Sequence, residues 1–534
     1  MAEALRDKRV VVVGAGIGGL VSALLLARQG LQVTLVEAAA GPGGKMRRQH
    51  VGGAAIDAGP TVFTMRWVFD RILHAAGFSA ADLPPLTPLD VLARHAWRGH
   101  ESTLDLFADR ARSAEAIGHF AGADEARRFL GFCDQARRVY AALEGPYLHA
   151  GKPSPWRMTR DLGPDGLAAL TRLGPFTSLW HTLGKHFHDP RLRQLFGRYA
   201  TYCGASPWQA PATLMLVAQV ELDGVWSVQG GMHAVAQTFA RLAERRGATL
   251  RYGAACSAIL THDGRGPGTR RGCVRAVRLA SGEELPADAV VFNGTPQALV
   301  DGLLGEGVRH AVPALPVKKR SLSAVTWAVH TATAGFPLVR HNVFFEPDYR
   351  AEFDDIFARR RLPQAGTVYV CAQDRDDAQP VQPGAPERLL CLVNAPADGD
   401  RRPFDALETD PCERQSLDLL RGCGLQMAMP ASQVQRTTPA DFNQAFPASG
   451  GALYGQATHG WMALFQRPGS SCRVPGLFLA GGGVHPGPGV PMAALSGQLA
   501  AGALMAHLAS TSRWRPAPIS GGTSTRSATT AAMP

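Results

Sequence analysis

A chain of 534 residues is too long for one ordinary domain and comfortable for two, and with 46% of its residues apolar it can bury a sizeable core, which excludes a disordered or fibrous protein. The 55 basic against 44 acidic residues leave a formal charge of +11, which favours an anionic partner such as acidic lipid headgroups. The basic residues are dispersed and form no compact stretch interleaved with aromatics, so no nucleic-acid partner is expected.

The nine cysteines are odd in number and none forms a C-x-x-C pair, so neither disulfides nor a metal site are expected, only reduced thiols. The apolar run from Val10 to Ala27 is broken by four glycines, and nothing near the start reads as a signal peptide. A cytoplasmic protein that at most touches a membrane is expected.

In chain order, Arg9 to Val13 is a β-branched run that predicts a buried strand. A glycine-rich turn follows, then a helix over Leu20 to Arg28 ended by Gly30, then a strand over Leu31 to Val36 with Glu37 at its end. This is one βαβ unit. From Trp67 to Val220 helical patterns dominate, broken by Pro and Gly turns. Short strands return at Leu250 to Ile259, Val274 to Leu279 and Ala289 to Phe292, with a hairpin connection at 263–272. Further strands are expected at Ser323–His330, Thr367–Cys371, Leu389–Val393 and Gly476–Ala480, and an apolar helix at Met492–Leu508. The Ser/Thr/Ala/Gly/Pro-rich end, 511–534, reads as a disordered tail.

Gly14, Gly16 and Gly19 form G-x-G-x-x-G, with Gly18 inside it. The first glycine allows the tight turn, the second lets backbone approach a pyrophosphate, and the third lets helix pack on strand. The helix N-terminus offers free N–H groups and partial positive charge to phosphate. Glu37, at the end of the next strand, suits an adenosine ribose and would repel a 2′-phosphate. A second glycine loop with basic residues, Gly43-Gly44-Lys45, lies close downstream, an element that favours FAD over NAD. Gly59-Pro60-Thr61 reads as a backbone segment beside the flavin. Near the end, Gly482-Gly483 and Val490-Pro491-Met492 form a glycine turn and a second helix start at the same cofactor, whereas the lone His485 reads as a packing residue.

With these residues in hand, the chain resembles the phytoene-desaturase-type carotenoid oxidoreductases, relatives of the amine oxidase flavoproteins. The resemblance adds GVWSVQGGM (224–232) and covers nearly everything but the tail. GPTVFTMRWVFD (59–70), LARHAW (92–97), the long stretch 189–221, TVYVCAQDR (367–375) and AGGGVHPGPGVPMA (480–493) are most similar to the hydroxycarotenoid 3,4-desaturase branch, also called methoxyneurosporene desaturases. The sequence departs from many flavoproteins in placing Gly482 and Gly483 where they carry an acid; the carotenoid enzymes share that departure.

The resemblance implies an α/β fold: a Rossmann-like FAD-binding domain from 7–70, 225–295 and 475–510, and a discontinuous mixed α+β substrate domain from 71–224 and 296–474. It implies that Cys256 lies on a strand whose backbone meets the adenine. It also implies FAD-dependent desaturation of an acyclic 1-hydroxycarotenoid at C3–C4, by hydride transfer and proton loss, within spheroidene- or spirilloxanthin-type synthesis. A phytoene or neurosporene desaturase, a carotenoid isomerase, an amine oxidase and a non-catalytic lipid carrier are the alternatives. No catalytic base stands out, and the electron acceptor is not legible.

Each buried CH₂ is worth about 0.8 kcal/mol, so exposing a carotenoid to water would cost on the order of 20–30 kcal/mol. Peripheral membrane attachment is therefore expected, at the inner, photosynthetic membrane that the resemblance implies; an apolar, partly basic face of 155–220 that includes Trp156, Trp180 and Leu216 is one reading of those residues and ordinary helix core is the other.

Overall fold

The computed structural model describes residues 7–148, 151, 177–263, 271–375, 381–382 and 384–512. Most of the connection expected at 263–272, nearly all of the expected tail, and Trp156 lie outside these residues.

Val10 to Val13 are buried on both faces, as a strand inside a parallel sheet must be. Arg9–Val13 lies at the centre of a five-stranded sheet ordered Thr249–Arg251, Gln32–Val36, Arg9–Val13, Ala289–Phe292, Leu477–Leu479. All four pairings are parallel. In order along the chain these strands run 3-2-1-4-5, the doubly wound arrangement that opens a crevice where the winding reverses, between Arg9–Val13 and Ala289–Phe292.

The helix Ile17–Arg28 starts three residues earlier than its apolar pattern predicts, because Gly18 and Gly19 are helical. It is apolar nearly all round and accordingly buried nearly all round. One side meets the C-terminal helix, Val490–Ser512. The two approach so closely that a Cβ on Gly497 would stand 2.2 Å from Gly18 O. Ser22 Oγ lies 2.9 Å from the carbonyl oxygens of both Gly18 and Gly497, which ties the helices together through backbone. The C-terminal helix is long and apolar enough to cross a membrane by composition, but half of that stretch is buried inside the protein.

A second sheet has seven strands, ordered Val434–Thr437, Ser323–Thr331, Glu387–Ala395, Val368–Ala372, His341–Phe345, Val91–Trp97, Leu104–Phe107. Only the pair His341–Phe345 and Val91–Trp97 is parallel. Alternation along each strand gives the sheet two faces. Val325, Trp327, Val370, Cys391 and Val393 enter a core shared with the helix Ala406–Gly422. Thr326, Tyr369, Leu390, Leu392 and Asn394 face the other way, into a cavity.

Two expectations from sequence need correction. The stretch from Trp67 onward is not helical throughout: Leu86–Pro88, Val91–Trp97 and Leu104–Phe107 are strands. A register shift between Val91 and Ala93 breaks the two-residue alternation, and that hid the strand. Leu250 to Ile259 is two strands, Thr249–Arg251 and Cys256–Thr261. Gly253, at φ +64°, turns the chain between them, so the second joins a separate antiparallel sheet with Val274–Leu279 and Glu284–Pro286.

Three imidazoles are held neutral by the fold. Burial, foremost, pushes His95 down to about 4, His341 to about 3 and His459 to about 4. His459 Nε2 accepts the Ser206 N–H at 3.0 Å, a bond that protonation of that nitrogen would abolish. Unfolded histidines take up protons near 6.5. Between that value and the folded values the unfolded chain binds more protons, so stability rises with pH there. The melting temperature is expected to hold steady above about pH 6.5 and to fall between pH 6.5 and 4. A melting temperature unchanged from pH 7 to pH 5 would contradict this assignment.

Candidate active site

The crevice opens into one continuous cavity of about 1290 Å³ that runs from the glycine turn to the exposed face of the seven-stranded sheet. Gly14, Gly16, Gly18, Glu37, Gly43, Gly44, Lys45, Gly59, Pro60, Thr61, Cys256, Gly482, Gly483, Val490, Pro491 and Met492 all line it. Of the residues singled out from sequence, Gly19 stands back from it. A Cβ there would lie 2.1 Å from Gly14 O, so this glycine serves the packing of helix on strand.

The turn closes around a residue that sequence reading passed over. Asn293 follows Ala289–Phe292 at the carboxyl end of a parallel strand, and its Nδ2 donates to Gly14 O at 3.2 Å. A Cβ on Gly14, Gly16, Gly18, Gly19 or Gly481 would come within 2.8–3.1 Å of Asn293 atoms. The available signal was position: ligands of doubly wound sheets bind outside the carboxyl ends of the strands.

Glu37 is held by backbone. Its carboxylate accepts the Ala15 N–H at 2.6 Å and the Ala39 N–H at 2.8 Å. An ionised carboxylate has about four acceptor positions, so two remain for a ribose. The second glycine loop packs on the first: Gly43 N donates to Ala15 O at 2.9 Å, and a Cβ on Gly44 would lie 3.1 Å from the Gly16 Cα. Loop-on-loop contact is thus a further reason for glycine at Gly44, at φ +57°, whereas at Gly43, at φ +132°, a Cβ would stand 2.2 Å from Met46 O of its own loop.

Beside the Glu37 carboxylate, the cavity wall at this cradle carries two cations. Lys45 is exposed only to the cavity and donates to Leu453 O at 2.5 Å. Enclosure, then the neighbouring Arg467, pushes its ammonium down to about 8. Arg467 is buried and donates to Tyr454 O at 3.0 Å, Gln456 O at 2.6 Å and Gly482 O at 3.4 Å. Among the described residues no carboxylate pairs with either cation. Such a wall fits a ligand carrying negative charge, and a pyrophosphate does. Nothing local in the sequence marked Arg467; its partners are main-chain carbonyls. The Cys256 thiol, pushed up to about 12 by burial, stays protonated and supplies no thiolate.

Beyond the cradle the lining turns apolar. Leu143, Leu214 and Val217 come from the helical side, and Leu390 and Leu392 from the sheet. Leu216, a candidate for a membrane face, lines this chamber, while Trp180 packs on Trp208 with ring centroids 4.5 Å apart. His485 is buried against the Tyr147 ring and does not line the cavity.

A 3-2-1-4-5 parallel sheet, a glycine cradle at its switch point and an adjoining apolar chamber define an oxidoreductase of the dinucleotide-binding flavoprotein class. The chain matches the family model for flavin containing amine oxidoreductases over residues 17–505. It is 65% identical over 533 residues to a hydroxyneurosporene desaturase of Rubrivivax gelatinosus, covering 100% of each chain. It is 45% identical to a hydroxyneurosporene desaturase of Cereibacter sphaeroides, covering 95% of this chain and 99% of that one. Among solved structures, putrescine oxidase bound to putrescine is similar in fold, with TM-score 0.56 and 15% identity over 94% of this chain and 99% of that one. The chain belongs to the flavin-containing amine oxidoreductases and, within them, to the carotenoid desaturases.

Removing a charged hydrogen-bond partner costs about 1.5–3 kcal/mol, and each 1.4 kcal/mol is tenfold in affinity. Glu37→Ala is therefore expected to weaken FAD retention by about tenfold to a hundredfold. Flavin absorbance per chain after dialysis checks this; full retention would remove Glu37 from the cofactor site.

Proposed function

We propose that this protein desaturates an acyclic 1-hydroxycarotenoid at C3–C4, with FAD as its cofactor, in bacterial carotenoid synthesis. The observation that carries this reading is the continuity of the cavity, from a cradle built for a dinucleotide into an apolar chamber faced by a sheet. Whole-length identity to hydroxyneurosporene desaturases supports the choice of substrate.

Gly14, Gly16, Gly18 and the N-terminus of Ile17–Arg28 would hold the pyrophosphate, Glu37 the ribose, and the main chain at Cys256 the adenine. Gly43 to Lys45, Gly59 to Thr61, Gly482-Gly483 and Val490 to Met492 would surround the remainder. On this reading residues 7–70, 225–295 and 475–510 form the flavin unit. Bound there, FAD supplies the two-electron oxidation. The protein's own tasks are to position the polyene, exclude water and set the local charge. The new double bond extends a conjugated system, so positive charge developing at the reacting carbons is shared along the polyene and needs little from protein groups.

Substrate is delivered from a bilayer, on whose cytoplasmic face the enzyme sits. Trp461 and Met462 are exposed apolar side chains on the segment in which Leu464 and Phe465, beyond the buried Ala463, line the cavity. That places an apolar contact beside the chamber. Flotation with liposomes is expected to carry the protein upward, more strongly with anionic lipid, and the double variant Trp461→Ser, Met462→Ser to reduce the floated fraction several-fold. A protein that floats with neither lipid is not a peripheral membrane enzyme.

The reaction is tested by incubating flavin-loaded protein with a panel of acyclic carotenoids in liposomes. The expected product carries one more C=C, at C3–C4, in the 1-hydroxylated members. Unsaturation introduced elsewhere, or geometric isomers alone, would overturn the assignment.

A further inference from the structure

A polyene end with a tertiary hydroxyl differs from its deoxy counterpart by one polar atom, so selection between them requires a polar seat inside an apolar chamber. A cluster on the helical side has that chemistry. Arg198 lines the cavity at the start of the 3₁₀ stretch Arg198–Cys203. Its Nη1 donates to Tyr202 Oη at 3.0 Å. Glu221 stands close by and accepts the Tyr199 hydroxyl at 2.8 Å. Arg198, Tyr202 and Glu221 all line the cavity, and Val217, Val220 and Leu216 of the same helix as Glu221 surround them with apolar surface.

The guanidinium has capacity to spare. Arginine offers five N–H donors, and among the described residues one side-chain hydrogen bond uses them. Tyr202 Oη has acceptor capacity left as well. Nearby, Tyr349 Oη is buried without a hydrogen-bond partner among the described residues. A tertiary alcohol presents one donor and two acceptor positions, which this arrangement matches; a hydrogen bond from an ionised donor is about twice as strong as a neutral one.

Position supports the same reading. The reacting carbons are two and three bonds from the hydroxylated carbon, and at about 1.5 Å per bond the hydroxyl stands on the order of 4 Å from them. Its seat must therefore adjoin the redox position rather than the far end of the chamber. The Arg198 Cζ lies 5.1 Å from the Tyr369 ring centroid, and Tyr369 Oη lies 2.7 Å from Thr61 Oγ1. Thr61 belongs to the Gly59-Pro60-Thr61 segment placed beside the flavin above, so this inference rests on the proposed function.

We propose that Arg198 and Tyr202, backed by Glu221, form the seat for the substrate's tertiary hydroxyl. Arg198 donates to the hydroxyl oxygen and Tyr202 Oη accepts its hydrogen. A site of this kind rejects the deoxy analogue because the analogue leaves buried polar groups unpaired.

The test uses flavin-loaded full-length enzyme, wild type, Arg198→Met and Tyr202→Phe, with melting temperature and flavin content recorded for each. Two readouts are taken for a 1-hydroxylated polyene and its deoxy counterpart. One is kcat/KM. The other is equilibrium binding of the corresponding products, which cannot react further at C3–C4, read from the shift of their visible absorption. Wild type is expected to prefer the hydroxylated partner in both, and each variant to reduce that preference at least about tenfold, the loss falling mainly on the hydroxylated ligand. If Arg198→Met does not fold, the conservative Tyr202→Phe decides alone. Variants that keep the wild-type preference, or lose both ligands equally, overturn the seat and leave the desaturase reading standing. A wild type without any preference sinks the seat and the 1-hydroxy substrate together.

Discussion

Backbone approach at one point organises this molecule. Five glycines from two distant turns converge on Asn293, four of them on its side chain and Gly14 on its backbone carbonyl, each so near that an added carbon would press against it. That convergence requires Arg9–Val13, Ala289–Phe292 and Leu477–Leu479 to lie side by side, and it requires the first and last helices to touch through bare backbone at Gly18 and Gly497. Ser22, bonded to both helices, and Glu37, bonded to both sides of its own turn, lock the same geometry from outside. The sheet thus places helix-terminal N–H groups, a carboxylate and two cations without a carboxylate partner among the described residues around one opening.

The second sheet has a different task. Its alternation sends one set of side chains into a conventional core and the other into the chamber, so a single pattern of sequence both stabilises the substrate region and lines it. Several polar residues on the chamber side are already joined to others: Tyr369 bridges Thr61 and His341, and Thr367 binds Glu352, which also takes Asn394. Buried polar groups that satisfy each other leave the remaining surface apolar.

The sequence made the cradle legible because glycine spacing reflects steric limits that few other residues meet. Gly14, Gly16, Gly19 and Glu37 carry their roles within one βαβ unit. The residues that sequence reading missed act across the chain. Asn293 acts on turns 279 and 188 residues away from it, at Gly14 and Gly481, and Arg467 holds carbonyls instead of a charged partner. Arg198 and Tyr202 sit inside a stretch whose resemblance was noted, yet an Arg and a Tyr four residues apart in a helical region read as an ordinary surface pair until the cavity beside them is seen. The strand Val91–Trp97 was hidden for a local reason, the bulge that scrambles its alternation.

The doubly wound sheet also sets a timetable. Its second and last strands in chain order are separated by about 440 residues of chain, from Val36 to Leu477. At about 5–20 residues per second, a ribosome needs roughly 20–90 s to deliver the last strand after the second has emerged. Throughout that interval Gly14 and its neighbours lack the C-terminal helix they pack against. The nucleotide turn is therefore an early-made part waiting for a late one, and the cofactor's full enclosure belongs to the finished chain, after translation has passed Gly497.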